Sequence, residues 1–234
     1  MKRLLGEIRR ADETYRLIAP GDHVAVGVSG GKDSMALMVL LGAYRKFSPN
    51  PFTLSAITLK LGDPFDTASL EALCERENIP LHIRDTGLLP TLDKEKNPCA
   101  LCARIRRGTL SKIAADMGCQ KLALGHHRED VLETYVMSAL NEGRFYHLAP
   151  KADMEKAGIT LIRPLIDARE AEIIRLANRL QLPVIKNPCP VDGHTKRSEI
   201  KALLRALEGE NPGAQDQLCA ALRRAREEKN DLDE

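Results

Sequence analysis

A strand-like run followed at once by two glycines constrains this chain more than any other stretch of it. Residues 24–28 read Val-Ala-Val-Gly-Val and carry no charge, which predicts a central strand covered on both faces. Residues 29–34 read Ser-Gly-Gly-Lys-Asp-Ser, and an apolar helical run begins at Met35. This order points free backbone N–H groups and the positive end of a helix at one place. The stretch therefore predicts an anion site, and phosphate is the anion that its lysine and hydroxyl groups suit.

The spacing of these glycines differs from that of a P-loop, which needs four residues between its first glycine and its Gly-Lys pair. Here Gly30 and Gly31 are adjacent, and Asp33 follows Lys32. Residues 29–34 resemble instead the pyrophosphate loop of the PP-loop ATPases, which adenylate a substrate and release pyrophosphate. The alternative is a Gly-rich turn without a ligand. The agreement of strand, turn and helix start favours the phosphate loop.

Strand and helix patterns alternate along the first part of the chain. The strand patterns lie at 24–28, 52–59 and 79–83, and helical patterns begin near Ser34 and Thr67. A βαβαβ order predicts parallel strands joined by right-handed crossovers. We therefore expect an α/β fold, in which a parallel sheet has helices on both of its faces.

The rest of the chain continues this pattern and adds helices at both ends. The other predicted helices cover 3–18, 98–117, 126–140, 169–180, 198–207 and 213–229. The other predicted strands cover 121–125, 160–166 and 183–185, and residues 141–158 are predicted to be irregular. This pattern predicts an N-terminal helix in 1–20, an α/β domain in 21–190 and a short helical C-terminal extension in 191–234.

Composition narrows the class of protein. Of the 234 residues 43% are hydrophobic, which allows a sizeable core, but the apolar stretches reach only strand length and predict no membrane span. Glu7, Arg9 and Arg10 interrupt the N-terminal segment, so no secretory signal is predicted and a cytoplasmic location is expected. The net charge of +2 does not by itself indicate nucleic-acid binding. Aromatic residues make up only 3%, so base-stacking surfaces are not expected, and any RNA contact should use phosphates and shape.

Two cysteines and an arginine share one face of a predicted helix. Pro98 is typical of a helix start, and good helix formers follow it. Cys99, Cys102 and Arg106 stand at positions i, i+3 and i+7, so their side chains lie on the same side of that helix. In a cytosolic protein such a Cys-x-x-Cys pair is more typical of metal binding or redox chemistry than of a structural disulfide.

Cys189 is the third cysteine in a suitable setting, because it lies between two prolines in a predicted loop. Three thiolates are one too few for an all-thiolate zinc site and suit a [4Fe–4S] cluster with one iron left open. His194 could complete a zinc site instead, and a catalytic dithiol or persulfide at Cys99 and Cys102 is a further alternative. The remaining cysteines are expected to be packed thiols: Cys74, Cys119 and Cys219.

Three segments carry a more specific resemblance. Residues 98–108, 124–130 and 162–165 are similar to three sequence blocks of the tRNA 2-thiocytidine synthetases. Cys189 falls where that family places its third cluster ligand. The related tRNA 2-thiouridine synthetases carry additional zinc-ribbon cysteines, which this sequence lacks, so the resemblance favours the cytidine branch.

The resemblance implies an activity and its cofactors. ATP with Mg²⁺ would adenylate the C2 carbonyl oxygen of a pyrimidine in tRNA, most simply cytidine 32 of the anticodon loop. Sulfur held at a [4Fe–4S] cluster would then displace AMP. A cysteine desulfurase or free sulfide would be the sulfur donor, and a homodimer is compatible with the resemblance.

The resemblance also assigns roles to residues. The phosphates of ATP would be held by Ser29, Gly30, Gly31, Lys32, Asp33 and Ser34. The backbone around Thr58 and Leu59 would border the adenine, and Gly125 would lie against the nucleotide. Asp130 would hold magnesium or orient the reacting phosphate, although a carboxylate in the first turn of a helix is also stabilised by the helix dipole alone. Lys32 and Arg106 would stabilise charge during phosphoryl transfer, and a solvated helix arginine is the alternative for Arg106. The cluster ligands would be Cys99, Cys102 and Cys189.

Other readings of the same residues stay open. A PP-loop amidotransferase or a lysidine-type ligase would need no cluster, and the three cysteines disfavour it. A non-enzymatic iron–sulfur or zinc RNA-binding protein would not need Lys32, Asp33, Ser34 and Asp130 together. An enzyme that thiolates uridine or a small molecule is compatible with all of these residues.

Overall fold

A computed structural model describes residues 1–60, 66–86, 98–185 and 196–232 of the protein. The helices are α1 (Lys2–Tyr15), α2 (Lys32–Tyr44), α3 (Thr67–Arg76), α4 (Pro98–Asp116), α5 (Arg128–Glu142), α6 (Glu170–Arg179), α7 (Lys196–Glu210) and α8 (Ala214–Leu232). The strands are β1 (His23–Gly27), β2 (Thr53–Lys60), β3 (Leu81–Asp85), β4 (Lys121–Ala123), β5 (Lys151–Met154) and β6 (Ile159–Ile162). Within these ranges no helix has the length and apolar character needed to cross a bilayer.

The strands form one six-stranded sheet in the order β3-β2-β1-β4-β6-β5. Neighbouring strands run parallel except β5, which pairs antiparallel with β6 at the edge. The chain builds outward from β1 to β3 and then returns to β4 on the other side of β1. In open α/β sheets such a reversal opens a crevice at the carboxyl ends of the two strands. The ends of β1 and β4 are therefore where a ligand site is expected.

The sheet is covered on both faces, as the sequence predicts. Val24 and Val26 of β1 belong to a large apolar cluster with α1, α2 and α6. Ala25, between them, belongs to a second cluster that contains Ala114 of α4. Helix α2 is buried on almost every side, which explains why its apolar residues show no single face. The predicted α/β class is confirmed.

Helix α1 is joined to this core by a buried carboxylate. Asp12 accepts hydrogen bonds from the Tyr44 hydroxyl (2.7 Å) and from the backbone N–H of Ile18 (2.9 Å). Burial raises the pKa of Asp12 above its ordinary value, while these hydrogen bonds oppose the shift. The contacts fix α1 against the end of α2.

Two predictions about local structure are wrong. The stretch 141–158 is not wholly irregular, because it contains β5. Residues 183–185 do not form a strand. Instead, the backbone N–H of Ile185 donates to the carbonyl oxygen of Gly30 at 2.9 Å, so the chain crosses the loop after β1 rather than adding to the sheet.

Candidate active site

Loop 29–34 is a braced turn between β1 and α2. Gly30 has φ +84°, a conformation that favours glycine, and Gly31 caps the helix with extended backbone. The buried Ser34 hydroxyl donates to the Gly31 carbonyl oxygen (2.9 Å) and accepts from the Ser29 backbone N–H (3.1 Å). Ser34 therefore holds the loop in shape, while the N-terminal N–H groups of α2 face the end of the sheet.

Gly125, just after β4, lies directly against the start of α2. A Cβ atom at this position would be 2.9 Å from the Asp33 carbonyl carbon and 3.0 Å from the Ser34 nitrogen. Both neighbours are backbone atoms, which cannot rotate away. The end of β4 and the start of α2 can approach this closely only because residue 125 is glycine.

We expect Gly125→Ala to displace the start of α2 and to weaken nucleotide binding. The overpacking should lower the free energy of unfolding by about 1–3 kcal/mol. Thermal unfolding and an ATP titration measure the two effects. Gly108→Ala is the matched control, because nothing lies within 4 Å of a Cβ built at this helical position. Equal nucleotide affinity in the wild-type protein and Gly125→Ala would contradict this assignment.

Lys32 is held by two carboxylates. Its Nζ lies 3.0 Å from Asp33 Oδ2 and 2.9 Å from Glu170 Oε1. Burial alone would lower the pKa of Lys32, but the two acidic partners raise it above the ordinary value. Glu170, at the start of α6, also pairs with Lys201 of α7 at 3.0 Å. The lysine therefore stays charged. It is the first residue of α2, at the positive end of the helix dipole.

Asp130 stabilises the start of α5 and also lines the cavity described below. One carboxylate oxygen accepts from the backbone N–H of His127 at 3.0 Å, which caps α5. The other accepts from Arg197 of α7 at 2.6 Å. Arg197 also lies 3.6 Å from Glu133, whose side chain is only 5% exposed and whose pKa is raised by burial. Sequence analysis did not identify Arg197 or Glu133 as part of this site.

The pKa values of the two histidines before α5 are shifted in opposite directions. Arg163, buried after β6, donates from Nε to His126 Nδ1 at 3.3 Å. Burial, reinforced by that guanidinium, lowers the pKa of His126 to about 4, so this ring is neutral near pH 7. Burial would also lower the pKa of His127, but the carboxylates of Glu129, Asp130 and Asp33 raise it above the ordinary value. Burial would raise the pKa of Glu129, but the His127 ring, whose Nδ1 lies 3.2 Å from Glu129 Oε2, together with the Glu170 backbone N–H and Arg128 holds it at about 2.

One cavity of about 510 Å³ joins most of these groups. It lies at the carboxyl ends of β1 and β4, where the sheet topology predicts it. Its polar lining includes Ser29, Asp33, Ser34, Arg106, His126, Asp130, Arg163 and Arg197. Leu59 also lines the cavity, as does Gly125. Thr58 is fully buried beneath it and donates its hydroxyl to the Val28 carbonyl oxygen at 2.7 Å.

The cysteine face of α4 reaches the same cavity. Cys102 is partly exposed and lines the wall together with Arg106. Cys99 lies three residues earlier on α4, but its side chain is outside the described part of the chain, as are all of Cys189 and His194. Among the side chains that the structure describes, no group of three or more His, Cys, Asp and Glu residues could hold a metal ion.

The other cysteines are packed in the interior, as predicted. The buried thiols are Cys74, Cys119 and Cys219. Burial raises the pKa of both Cys74 and Cys119 to about 11. Thiols with so high a pKa are poor nucleophiles and poor metal ligands at neutral pH.

Comparison with known proteins agrees with this geometry. The family model of the PP-loop domain matches residues 7–207. A tRNA-cytidine(32) 2-sulfurtransferase of Geobacter metallireducens is 36% identical over 94% of this chain and 89% of its own length. One of Paracoccus denitrificans is 38% identical over 96% of this chain and 78% of its own length. The chain belongs to the PP-loop family of tRNA-cytidine(32) 2-sulfurtransferases. The resemblance drawn from the sequence motifs is thereby confirmed.

The solved structures that resemble this PP-loop family member include a tRNA thiolase. The U34-tRNA thiolase NcsA from Methanococcus maripaludis, solved with its [4Fe-4S] cluster, superposes with a TM-score of 0.76 at 29% identity. The match covers 97% of this chain and 80% of NcsA. An NH3-dependent NAD synthetase from Campylobacter jejuni superposes with a TM-score of 0.53 at 19% identity, over 99% of this chain and 94% of its own. That second likeness shows the shared fold alone.

Proposed function

We propose that this protein is an ATP-dependent tRNA sulfurtransferase that converts a cytidine, at position 32 of the anticodon loop, to 2-thiocytidine. The observation that carries the proposal is one cavity lined by Ser29, Asp33 and Ser34 of loop 29–34 and also by Cys102 and Arg106 of α4. Gly30, Gly31 and Lys32 belong to the same loop but are not part of the cavity lining. An enzyme that only adenylates its substrate would need loop 29–34 but no thiol beside it. A thiol in the same cavity supplies a reason for the adenylation, which is activation of a carbonyl carbon for attack by sulfur. A tRNA acceptor also implies a cytoplasmic enzyme.

In this proposal the phosphates of ATP lie at the N-terminus of α2. The backbone N–H groups of Gly30, Gly31 and Lys32 would donate to the phosphates, and the Lys32 ammonium would move from its carboxylate partners to a phosphate. The adenine lies near the backbone of Thr58 and Leu59, and Gly125 leaves room for the nucleotide. Loop 29–34 thus has the groups that anion binding requires.

Magnesium fits the same end of the cavity. Asp33 Oδ1 is buried and, within the part of the chain that the structure describes, accepts no hydrogen bond. Asp130 lies in the same lining. Mg²⁺ prefers carboxylate oxygens together with substrate phosphates. We infer that Asp33 and Asp130 would hold the ion against ATP, with Arg197 released from Asp130.

A [4Fe–4S] cluster fits the donors on the other side. Cys102 offers a partly exposed thiol in the cavity, and Cys99 precedes it by three residues on the same helix. Cys189 follows Ile185 by four residues, and the Ile185 N–H is bonded to Gly30 in the loop. Cys99, Cys102 and Cys189 would hold the cluster. When bound, it would supply the sulfur atom, which a cysteine desulfurase or free sulfide would replenish.

The chemistry follows from these positions. The C2 carbonyl oxygen of the pyrimidine attacks the α-phosphorus of ATP, and pyrophosphate leaves. Lys32, Arg106 and the N–H groups of loop 29–34 stabilise the negative charge that develops on the phosphate oxygens. Sulfur then adds at C2, and AMP departs with the original oxygen. Arg106 lies close to both steps, because Cys102 is one helical turn away from it.

A uridine acceptor is the second candidate, favoured by the structural likeness to the U34-tRNA thiolase. Mass spectrometry of nucleosides from tRNA decides between the two. The reconstituted protein would be incubated anaerobically with unmodified tRNA, ATP, Mg²⁺ and sulfide. We expect 2-thiocytidine, absent when ATP is omitted. Formation of 2-thiouridine would instead support the second candidate. If neither nucleoside forms, the proposal is overturned.

A further inference from the structure

The end of α5 carries a cluster of aromatic side chains. The chain has only four Tyr and four Phe residues, and three of these eight meet here. The rings of Tyr135 and Phe145 are stacked, with centroids 5.9 Å apart and planes within 16°. The Arg144 guanidinium lies 5.2 Å from the centre of the Tyr146 ring. We call these four residues the aromatic platform.

The platform is open to solvent. Phe145 is 84% exposed and Tyr146 is 44% exposed. An exposed phenylalanine leaves most of its apolar area in water. Such a surface is suited to receive another flat π-system.

Buried hydrogen bonds hold the platform in this position. Gly143 ends α5 with φ +63°, and the chain turns back over the helix. The buried hydroxyl of Ser138 donates to the carbonyl oxygen of Tyr146 (2.9 Å) and accepts from its N–H (3.1 Å). The Arg144 N–H donates to the Ser138 carbonyl oxygen at 3.3 Å. The backbone that carries Arg144 and Tyr146 is therefore held against α5 by these hydrogen bonds.

The platform is close along the chain to residues of the cavity lining. Leu148, three residues after Phe145, is part of the cavity lining. The next residue, Ala149, accepts a hydrogen bond through its carbonyl oxygen from Arg163, which also lines the cavity. Three residues of extended chain span at most about 11 Å, so the Cα atom of Phe145 lies within that distance of the Cα atom of Leu148 in the cavity lining.

We propose that the aromatic platform stacks an unpaired base of the tRNA loop, next to the pyrimidine that enters the cavity. This inference rests on the proposed function. Base–aromatic stacking accepts any base, because every base has a π-face. The Arg144 guanidinium, which is also ion-paired with Glu142, lies over the Tyr146 ring. A single-stranded loop with splayed bases presents flat groups of this kind, and a double helix does not. The expectation of no stacking surface, drawn from low aromatic content, is revised here because the few aromatics present are gathered in one place.

The test uses an anticodon stem-loop RNA that carries 2-aminopurine at each loop position in turn. Stacking on Phe145 should quench the fluorescence of at least one of these RNAs on binding. Phe145→Ala should abolish that quench and weaken RNA binding roughly five- to hundredfold, whereas Phe145→Tyr should retain both. The loss should be similar at low and high salt, because stacking releases no counterions.

Phe47→Ala is the matched control. Phe47 is also exposed, at 52%, and packs edge-on against Tyr44, but it follows the C-terminal end of α2. The chain then enters β2 at Thr53, at the amino ends of the parallel strands, whereas the cavity lies at their carboxyl ends. This variant should bind RNA and quench 2-aminopurine like the wild type.

Three outcomes would overturn the inference. If Phe145→Ala binds and quenches like the wild type while the wild type thiolates tRNA, the platform is wrong and the proposed function stands. If the wild type neither binds nor thiolates tRNA, both fail. If Phe145→Ala leaves RNA binding unchanged but alters the mass measured by sedimentation, the platform is a contact between copies of this chain.

Discussion

Replacing Lys32 with alanine is expected to lower the rate of AMP formation at least a hundredfold. The lysine is half-buried and stays protonated, since Asp33 and Glu170 raise its pKa. Removing one preorganised charge from a phosphoryl-transfer site typically costs about 10²–10³ in rate. Pyrophosphate and AMP released in the presence of tRNA measure the loss. The free energy of unfolding should change by only about 1 kcal/mol, because the ion pairs of Lys32 are partly exposed.

Lys201→Ala is the control that distinguishes the loss of a phosphate-binding charge from the loss of an ion pair to Glu170. Lys201 is also bonded to Glu170, at 3.0 Å, but it lies on α7 and not at the N-terminus of α2. We expect it to form AMP within a few-fold of the wild-type rate. Iron content after reconstitution should be equal in the two variants and the wild type. AMP formation at the normal rate by Lys32→Ala would refute the phosphate role of this residue.

Replacing Cys102 with alanine is expected to abolish formation of the thiolated nucleoside while pyrophosphate release from ATP and tRNA continues. The thiol lies in the cavity wall and is a proposed cluster ligand, but it does not belong to loop 29–34. Iron and sulfide counting after anaerobic reconstitution should show a lower cluster content than in the wild type, and the cluster that remains should be oxygen-labile. Cys99→Ala should behave in the same way, and a full cluster in either variant would refute that ligand assignment.

Cys119→Ala is the control for the two cysteine variants. Its thiol is buried against the second apolar cluster of the core, and burial raises its pKa to about 11. We expect full iron content and full thiolation from this variant. A loss of iron equal to that of Cys102→Ala would mean that the cluster responds to the stability of the domain rather than to its ligands.

The sequence was most informative where local and global signals agree. The β-branched residues of β1, the glycine turn and the apolar α2 each predict the same strand–loop–helix unit. The helical spacing of Cys102 and Arg106 predicts that they share a face, and the structure places both in the cavity. Their convergence with loop 29–34 follows from the parallel sheet, which brings successive connections to one edge.

Features that depend on distant contacts were not predictable in this way. Strand β5 is a half-exposed edge strand, and only its pairing with β6 makes it a strand. Val184 and Ile185 have strong β-propensity, yet Ile185 bonds to the loop instead of to a strand. Arg197 stands among charges that are typical of a solvated helix face, and its partner Asp130 is 67 residues away. Charge pattern alone cannot identify such a pairing.

Helix α7 limits how freely relatives of this protein could exchange their C-terminal parts. Two basic residues of α7 form ion pairs around the site: Arg197 with Asp130 and Glu133, and Lys201 with Glu170. Glu170 is also ion-paired with Lys32. A chimera with a foreign C-terminus that lacked these two basic residues would leave the buried Glu133 without its countercharges. The loop and α7 are therefore coupled electrostatically, and a chimera that loses both Arg197 and Lys201 should be less stable than one that keeps either of them.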